Sequence, residues 1–109
     1  MSKNKGFSNT SVQRYSLALY ELSSESNSIN VVEQHSLGIL KLISLSENFN
    51  SLIKDPTGNQ SELISVINKI SEKYKINILL KNFIKFLIKK KRFFYIEKIL
   101  KNFIEICSK

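Results

Sequence analysis

Apolar residues return every three or four positions along most of the chain, the spacing of helices that turn one face inward. From a cap at Asn9, Thr10 or Ser11, a first helix is predicted to about Ser24, with Val12, Tyr15, Leu19 and Leu22 on one stripe. Ala18 borders that stripe, and Leu17 and Tyr20 project from the opposite side, so this helix is apolar on two faces. The polar stretch over 23–28 leads to a second helix, opened by Ser28 or Asn30 and reaching about Leu45, that aligns Val31, His35, Ile39 and Leu42. Ser46 caps a short third helix through Ile53, carrying Phe49, Leu52 and Ile53. The clearest turn is DPTGN over 55–59, because Pro56 pushes Asp55 out of helical geometry. A fourth helix follows from about Gln60 to Tyr74, with Leu63, Ile64, Ile67 and Ile70 inward. Asn77 caps a fifth to about Lys90, and a sixth runs from about Phe93 to Cys107 with Phe93, Ile96, Leu100, Phe103 and Ile104 inward. No convincing strand alternation and no internal repeat interrupts this series. The prediction is an all-α, compact bundle of five to six helices over 9–107, preceded by a flexible tail over 1–8.

The fifth helix is too wide for an ordinary surface helix. At 100° per residue, Phe86, Leu79, Phe83, Leu87, Leu80, Ile84 and Ile88 span an arc of roughly 200°, about twice what one covered face needs. Either this is a central helix buried on both flanks, or one flank lines a groove that awaits another amphipathic helix. The two can hold together, with different edges of the arc in each role. The first helix, apolar on two faces, is the natural second wall.

Composition narrows the class. With 109 residues the chain fits one domain, and three glycines and one proline leave few turns for an all-β fold. One cysteine excludes a disulfide framework and a structural zinc site. No apolar stretch is long enough for a secretory signal or a membrane span, so the chain reads as soluble and cytoplasmic. The net charge of +8 is unevenly placed: residues 1–60 hold five basic and five acidic residues, residues 61–109 twelve and four. Such asymmetry points to an anionic partner, yet 15 Lys, 15 Ile, 11 Asn and a single Ala are also the bias of an A/T-rich coding sequence, which fills any solvated face with lysine.

Candidate chemistry is sparse. His35 lies on an apolar helix face far from Cys107, with no orienting group to complete a triad, and reads as a packing residue. Cys107 reads as a small hydrophobe, and Gly6, Gly38 and Gly58 are isolated rather than a phosphate-cradling loop. No catalytic, cofactor or metal site is predicted. The run Lys89–Arg92 suits a helix C-terminus, and since Phe93 falls on the inward arc, only Phe94 and Tyr95 are left as aromatic partners for bases.

Three segments carry a resemblance: RYSLALY at 14–20, FNSLIKDP at 49–56 and NFIKFLIKKKRFFYIEKILKNFIEI at 82–106. In this order and spacing the chain closely resembles the N-terminal domain of the ATP synthase delta subunit, whose mitochondrial counterpart is the oligomycin sensitivity conferral protein. Arg14, Tyr15, Ala18 and Leu19, with Tyr20 in place of Phe, match the family's early motif; Asn82, Phe83 and Arg92 match its late one. Ala18 is the chain's only alanine, and its small side chain would let another helix approach closely. Lys90 stands where the family commonly has Asn, and Glu97 where it often has Pro. The family's C-terminal portion is absent from this chain, so the sequence looks like a domain fragment.

The resemblance implies a connector rather than a catalyst, with no cofactor. The domain would grip the N-terminal amphipathic helix of an alpha subunit in a groove between its first and fifth helices, while the C-terminal part joins b-type peripheral-stalk subunits. The head is thereby held still against the rotor at the cytoplasmic face of the bacterial inner membrane, with no insertion into the bilayer and with the isolated domain a monomer. The expected groove is Tyr15, Ala18 and Leu22 with Leu79, Asn82, Phe83 and Phe86, and Val32 at its rim. A small basic RNA-binding helical bundle of the antitermination-factor type is the alternative, although no nucleic-acid partner is expected; a membrane-surface module is a further one.

Overall fold

The computed structural model describes residues 3–55 and 58–108, with side chains from Thr10 onward. Among these residues the chain forms six α-helices and no strand: α1 (Lys3–Glu25), α2 (Ile29–Leu45), α3 (Glu47–Lys54), α4 (Gln60–Tyr74), α5 (Ile78–Lys89) and α6 (Ile96–Cys107). A 3-10 turn, Phe93–Tyr95, precedes α6. The sixth helix expected from Phe93 is therefore two pieces, the tight turn tucking Phe93 inward at 5% exposure before the α-helix begins.

Local chemistry accounts for the boundaries. The Ser46 hydroxyl accepts from Phe49 N–H at 3.2 Å, and Asn77 Oδ1 accepts from Leu79 N–H at 2.8 Å. Asn59 Oδ1 accepts from Ser61 N–H at 2.7 Å and Glu62 N–H at 3.3 Å. Each satisfies amides that a helix N-terminus leaves unpaired. Three helices close on a residue in the left-handed region, Asn27, Lys75 and Lys91, at φ 54°, 55° and 60°. Behind them Ser28, Ile76 and Arg92 donate their backbone N–H to Ser23, Ser71 and Leu87 carbonyls at 2.8, 3.0 and 2.8 Å, the Schellman closure formed without glycine. Asp55 is extended, at φ −82° and ψ 109°, as a residue before proline should be; Pro56 and Thr57 lie outside the described residues.

The start of α1 differs from expectation. The helix begins at Lys3, so the caps expected at Asn9–Ser11 lie within it, and residues 3–8 of the expected tail are its first turns; Met1 and Ser2 lie outside the described residues.

The centre of the bundle is α6, which packs mainly on α1 and α2. Ile96, Ile99, Leu100 and Phe103 are 0–1% exposed. The inward faces of α1 and α2 are each rotated from the expected stripe. On α1 the buried line is Val12, Ser16, Leu19 and Ser23, which leaves Tyr15 and Leu22 to one side; on α2 it is Val32, Ser36, Ile39 and Ile43 rather than Val31, His35, Ile39 and Leu42. Hydropathy missed this because serine occupies core positions, where its size lets helices close together. The Ser16 hydroxyl lies 2.7 Å from Val12 O of its own helix and 2.9 Å from Ile99 O of α6, so its single proton is satisfied at the crossing. Ser23 likewise donates to Leu19 O at 2.8 Å. Ser36 Oγ is buried with no partner among the described residues.

These environments predict opposite signs for the same substitution. In urea titrations Ser36→Ala raises stability by about 1 kcal/mol by removing an unsatisfied hydroxyl, whereas Ser16→Ala lowers it by about 1 kcal/mol. Phe103→Ala, at the fully buried centre of α6, lowers stability by about 3–5 kcal/mol in the same assay.

Candidate functional site

The two readings of the wide arc on α5 both hold, on different edges. Leu80, Phe83, Ile84, Leu87 and Ile88 are buried, mostly between α4 and the rest of the bundle. The remaining edge is open: Phe86 keeps 44% of its surface in solvent. It faces the side of α1 that the rotated core left uncovered, where Leu22 is 46% exposed. Between them lies a cleft of about 870 Å³ lined by Tyr15, Ala18 and Leu22 from α1, by Leu79, Asn82, Phe83 and Phe86 from α5, and by Ser11, Arg14 and Arg92. The Tyr15 and Phe86 rings meet edge to face across its floor, centroids 6.2 Å apart. The Lys90 ammonium stands 5.7 Å from the Phe86 centroid, within cation–π range.

Seven of the eight residues expected from the sequence are thus brought to one cleft. Val32 is not: it is 0% exposed, inside the core, because the buried line of α2 faces α6. Reasoning from sequence also missed Ser11, Arg14 and Arg92 as lining residues, although helical geometry places Ser11 one turn from Tyr15 and Arg14 one turn from Ala18.

The other candidate groups have structural duties. His35 Nδ1 accepts the Asn77 backbone N–H at 2.8 Å, tying α2 to the start of α5. Beside it a second, apolar cavity of about 420 Å³ lies between α2 and α4, walled by Leu42, Leu45, Ile70, Tyr74 and Ile76. Among the described residues no three His, Cys, Asp or Glu side chains converge as metal ligands, and no helix is long and apolar enough to cross a membrane. Burial pushes the Cys107 thiol above its ordinary pKa, and the Glu33 carboxylate adds to the effect. Glu97, in the first turn of α6, pairs with Lys101 at 3.3 Å across one turn of that helix.

The sequence matches a known family. A family model described as ATP synthase delta (OSCP) subunit matches residues 12–109. The chain belongs to the ATP synthase delta (OSCP) subunit family. The ATP synthase subunit delta of Pelagibacter ubique (strain HTCC1062) is 60% identical over 108 residues, covering 99% of this chain and 58% of that relative. The subunit delta of Brucella ovis (strain ATCC 25840 / 63/290 / NCTC 10512) is 30% identical over 96 residues, 88% of this chain and 52% of the relative. That of Clostridioides difficile (strain 630) is 29% identical over 102 residues, 93% and 56%. The chain spans a little over half the length of these curated relatives. No solved structure matches it.

A raised thiol pKa means that Cys107 stays protonated near neutral pH. Its rate of alkylation by iodoacetamide, followed by mass spectrometry, therefore rises at higher pH than that of a cysteine in an unstructured peptide, and unfolding in urea removes the difference.

Proposed function

We propose that this chain is a head-gripping domain of a non-catalytic peripheral-stalk subunit of an F-type ATP synthase. The α1–α5 cleft takes the amphipathic N-terminal helix of an alpha subunit. In full-length relatives the portion beyond the matched span then joins b-type stalk subunits, so that the catalytic head stays still while the rotor turns during proton-driven ATP synthesis. The work is done peripherally, at the cytoplasmic face of a bacterial inner membrane.

One observation supports this reading above all: a family member leaves a cleft between α1 and α5 in which Tyr15, Ala18, Leu22, Leu79, Phe83 and Phe86 form a largely apolar wall, with Ser11, Arg14, Asn82 and Arg92 beside it. Such a cleft suits one apolar helix face. A stator must hold under torque, which favours apolar insertion with slow dissociation over exposed ion pairs, each of which contributes little. Ala18, exposed in the cleft wall, offers the low point over which an incoming helix can lie close. The three rings that follow the Lys89–Arg92 run do not assemble a stacking platform for bases. Phe93 is buried and Tyr95 lies against Phe94 at 4.3 Å, so Phe94 is the broadly exposed ring of the three.

The test is titration of the chain with the N-terminal peptide of its alpha subunit. Tyr15→Ala and Phe86→Ala each weaken binding by roughly 10-fold or more, as loss of a central aromatic anchor does. Because Phe86 is 44% exposed in the free domain, its variant keeps the circular dichroism and melting behaviour of the parent. Unchanged affinity in both variants would show that the helix docks elsewhere.

A further inference from the structure

The apolar cavity of about 420 Å³ between α2 and α4 shares no lining residue with the α1–α5 cleft. Its size and its apolar wall are those of small-molecule sites, which pair such a wall with a few placed polar groups. Backbone hydrogen bonds fix its closed end. Lys75, in the left-handed region, ends α4, and Ile76 then folds back with its N–H on Ser71 O, which brings Ile76 into the wall. The next amide, that of Asn77, donates to His35 Nδ1 at 2.8 Å, so this turn is anchored to α2. His35 itself lines the cavity, and with Nδ1 accepting, Nε2 is the ring nitrogen that carries a proton to donate.

Gly38 gives the cavity its depth. It lies in the interior of α2, where Gln34, Gly38, Lys41 and Leu45 fall on one side of the helix and all line the opening. Glycine disfavours a helix interior relative to alanine, and is kept where a positive φ or a close approach requires it. Gly38 has no positive φ, and a Cβ built on it meets no atom within 4 Å, so no part of this chain makes that approach. Leu45 at the mouth is 73% exposed, and Tyr74 across from it is half-exposed, so the chain leaves this apolar rim uncovered.

The mouth is positive. Lys41 lines the cavity and no aspartate or glutamate does. Lys41 is exposed and, among the described residues, forms no ion pair. A second cation stands beside the wall, the Lys73 ammonium lying 5.5 Å from the centroid of the Tyr74 ring.

We infer that the α2–α4 cavity is a binding site for a small amphipathic monocarboxylate, such as a free acyl-chain acid. The tail lies over Gly38 against Leu42, Ile70 and Ile76, and the carboxylate stays at the mouth with Lys41. An uncharged molecule with the same tail makes the apolar contacts but lacks the charge-assisted one. A short acid makes only the contact with an exposed lysine, which by itself contributes little.

The experiment titrates decanoate, decanol and acetate into the isotopically labelled chain, each below the concentration at which it aggregates. Decanoate shifts the amide signals of Gly38, Lys41, Leu42, Ile70 and Ile76 to saturation, and acetate does not. Decanol binds at the same place roughly 2- to 5-fold more weakly, and Lys41→Gln brings decanoate down to the decanol level. Gly38→Leu, whose Cβ has open space, keeps the helical circular dichroism and lowers decanoate affinity roughly 10-fold or more, because the filled cavity leaves the tail no room. Shifts that do not saturate, or that scatter over exposed apolar residues elsewhere such as Leu17, Leu22 and Phe94, overturn the inference. So does an affinity unchanged by Gly38→Leu, or one equal for decanoate and decanol.

Discussion

The burial of α6 is the constraint from which the rest of the bundle follows. Its face of Ile96, Ile99, Leu100 and Phe103 is almost wholly removed from water, and α1 and α2 supply most of the cover. Once α1 has turned Val12, Ser16, Leu19 and Ser23 toward α6, Tyr15 packs only at the edge of the core and Leu22 stays 46% exposed. In the same way α5 packs one side on α4 and leaves Phe86 at the margin. The cleft between them is therefore what remains after the core has claimed one face of each wall. It exists because both walls have more apolar surface than the domain can cover by itself.

Close approach around α6 depends on small residues, and in a chain with one alanine serine supplies them. Ser16 and Ser23 return their hydroxyls to carbonyls of their own helix, which makes them compact, satisfied core residues rather than polar intruders. The single alanine is placed elsewhere, exposed in the cleft wall, where a hydroxyl that needs a partner would hinder a close apolar contact. Size and hydrogen-bonding capacity thus divide the small residues between the inside and the candidate interface.

Much of the cleft was legible before any coordinates. The 200° arc of α5 and the two-faced first helix were signs of surplus apolar surface, and surplus on two helices implies a shared opening. Val32 was misplaced because the 3.6-residue period tells which residues share a face, while the choice between adjacent faces depends on the neighbour. Counting apolar residues favoured the stripe through Val31 and His35; packing against α6 favoured the one through Val32 and Ser36. Arg14 and Arg92 were noticed as motif residues but not as cleft lining, because they lie far apart in sequence and share the cleft only once α1 and the end of α5 are packed together.

By itself the sequence determined the all-helical class, most helix starts and the turns between helices. These are local: Ser46, Asn59 and Asn77 reach amides two or three residues away, and Pro56 acts on the residue before it. Only the tertiary structure decided that α1 and α2 pack mainly on α6, that serines stand in the core, and that Arg14 and Arg92 line the same cleft. Those outcomes depend on which helix covers which, and coverage is settled by the competition of all apolar faces for one core, information that no single window of residues contains.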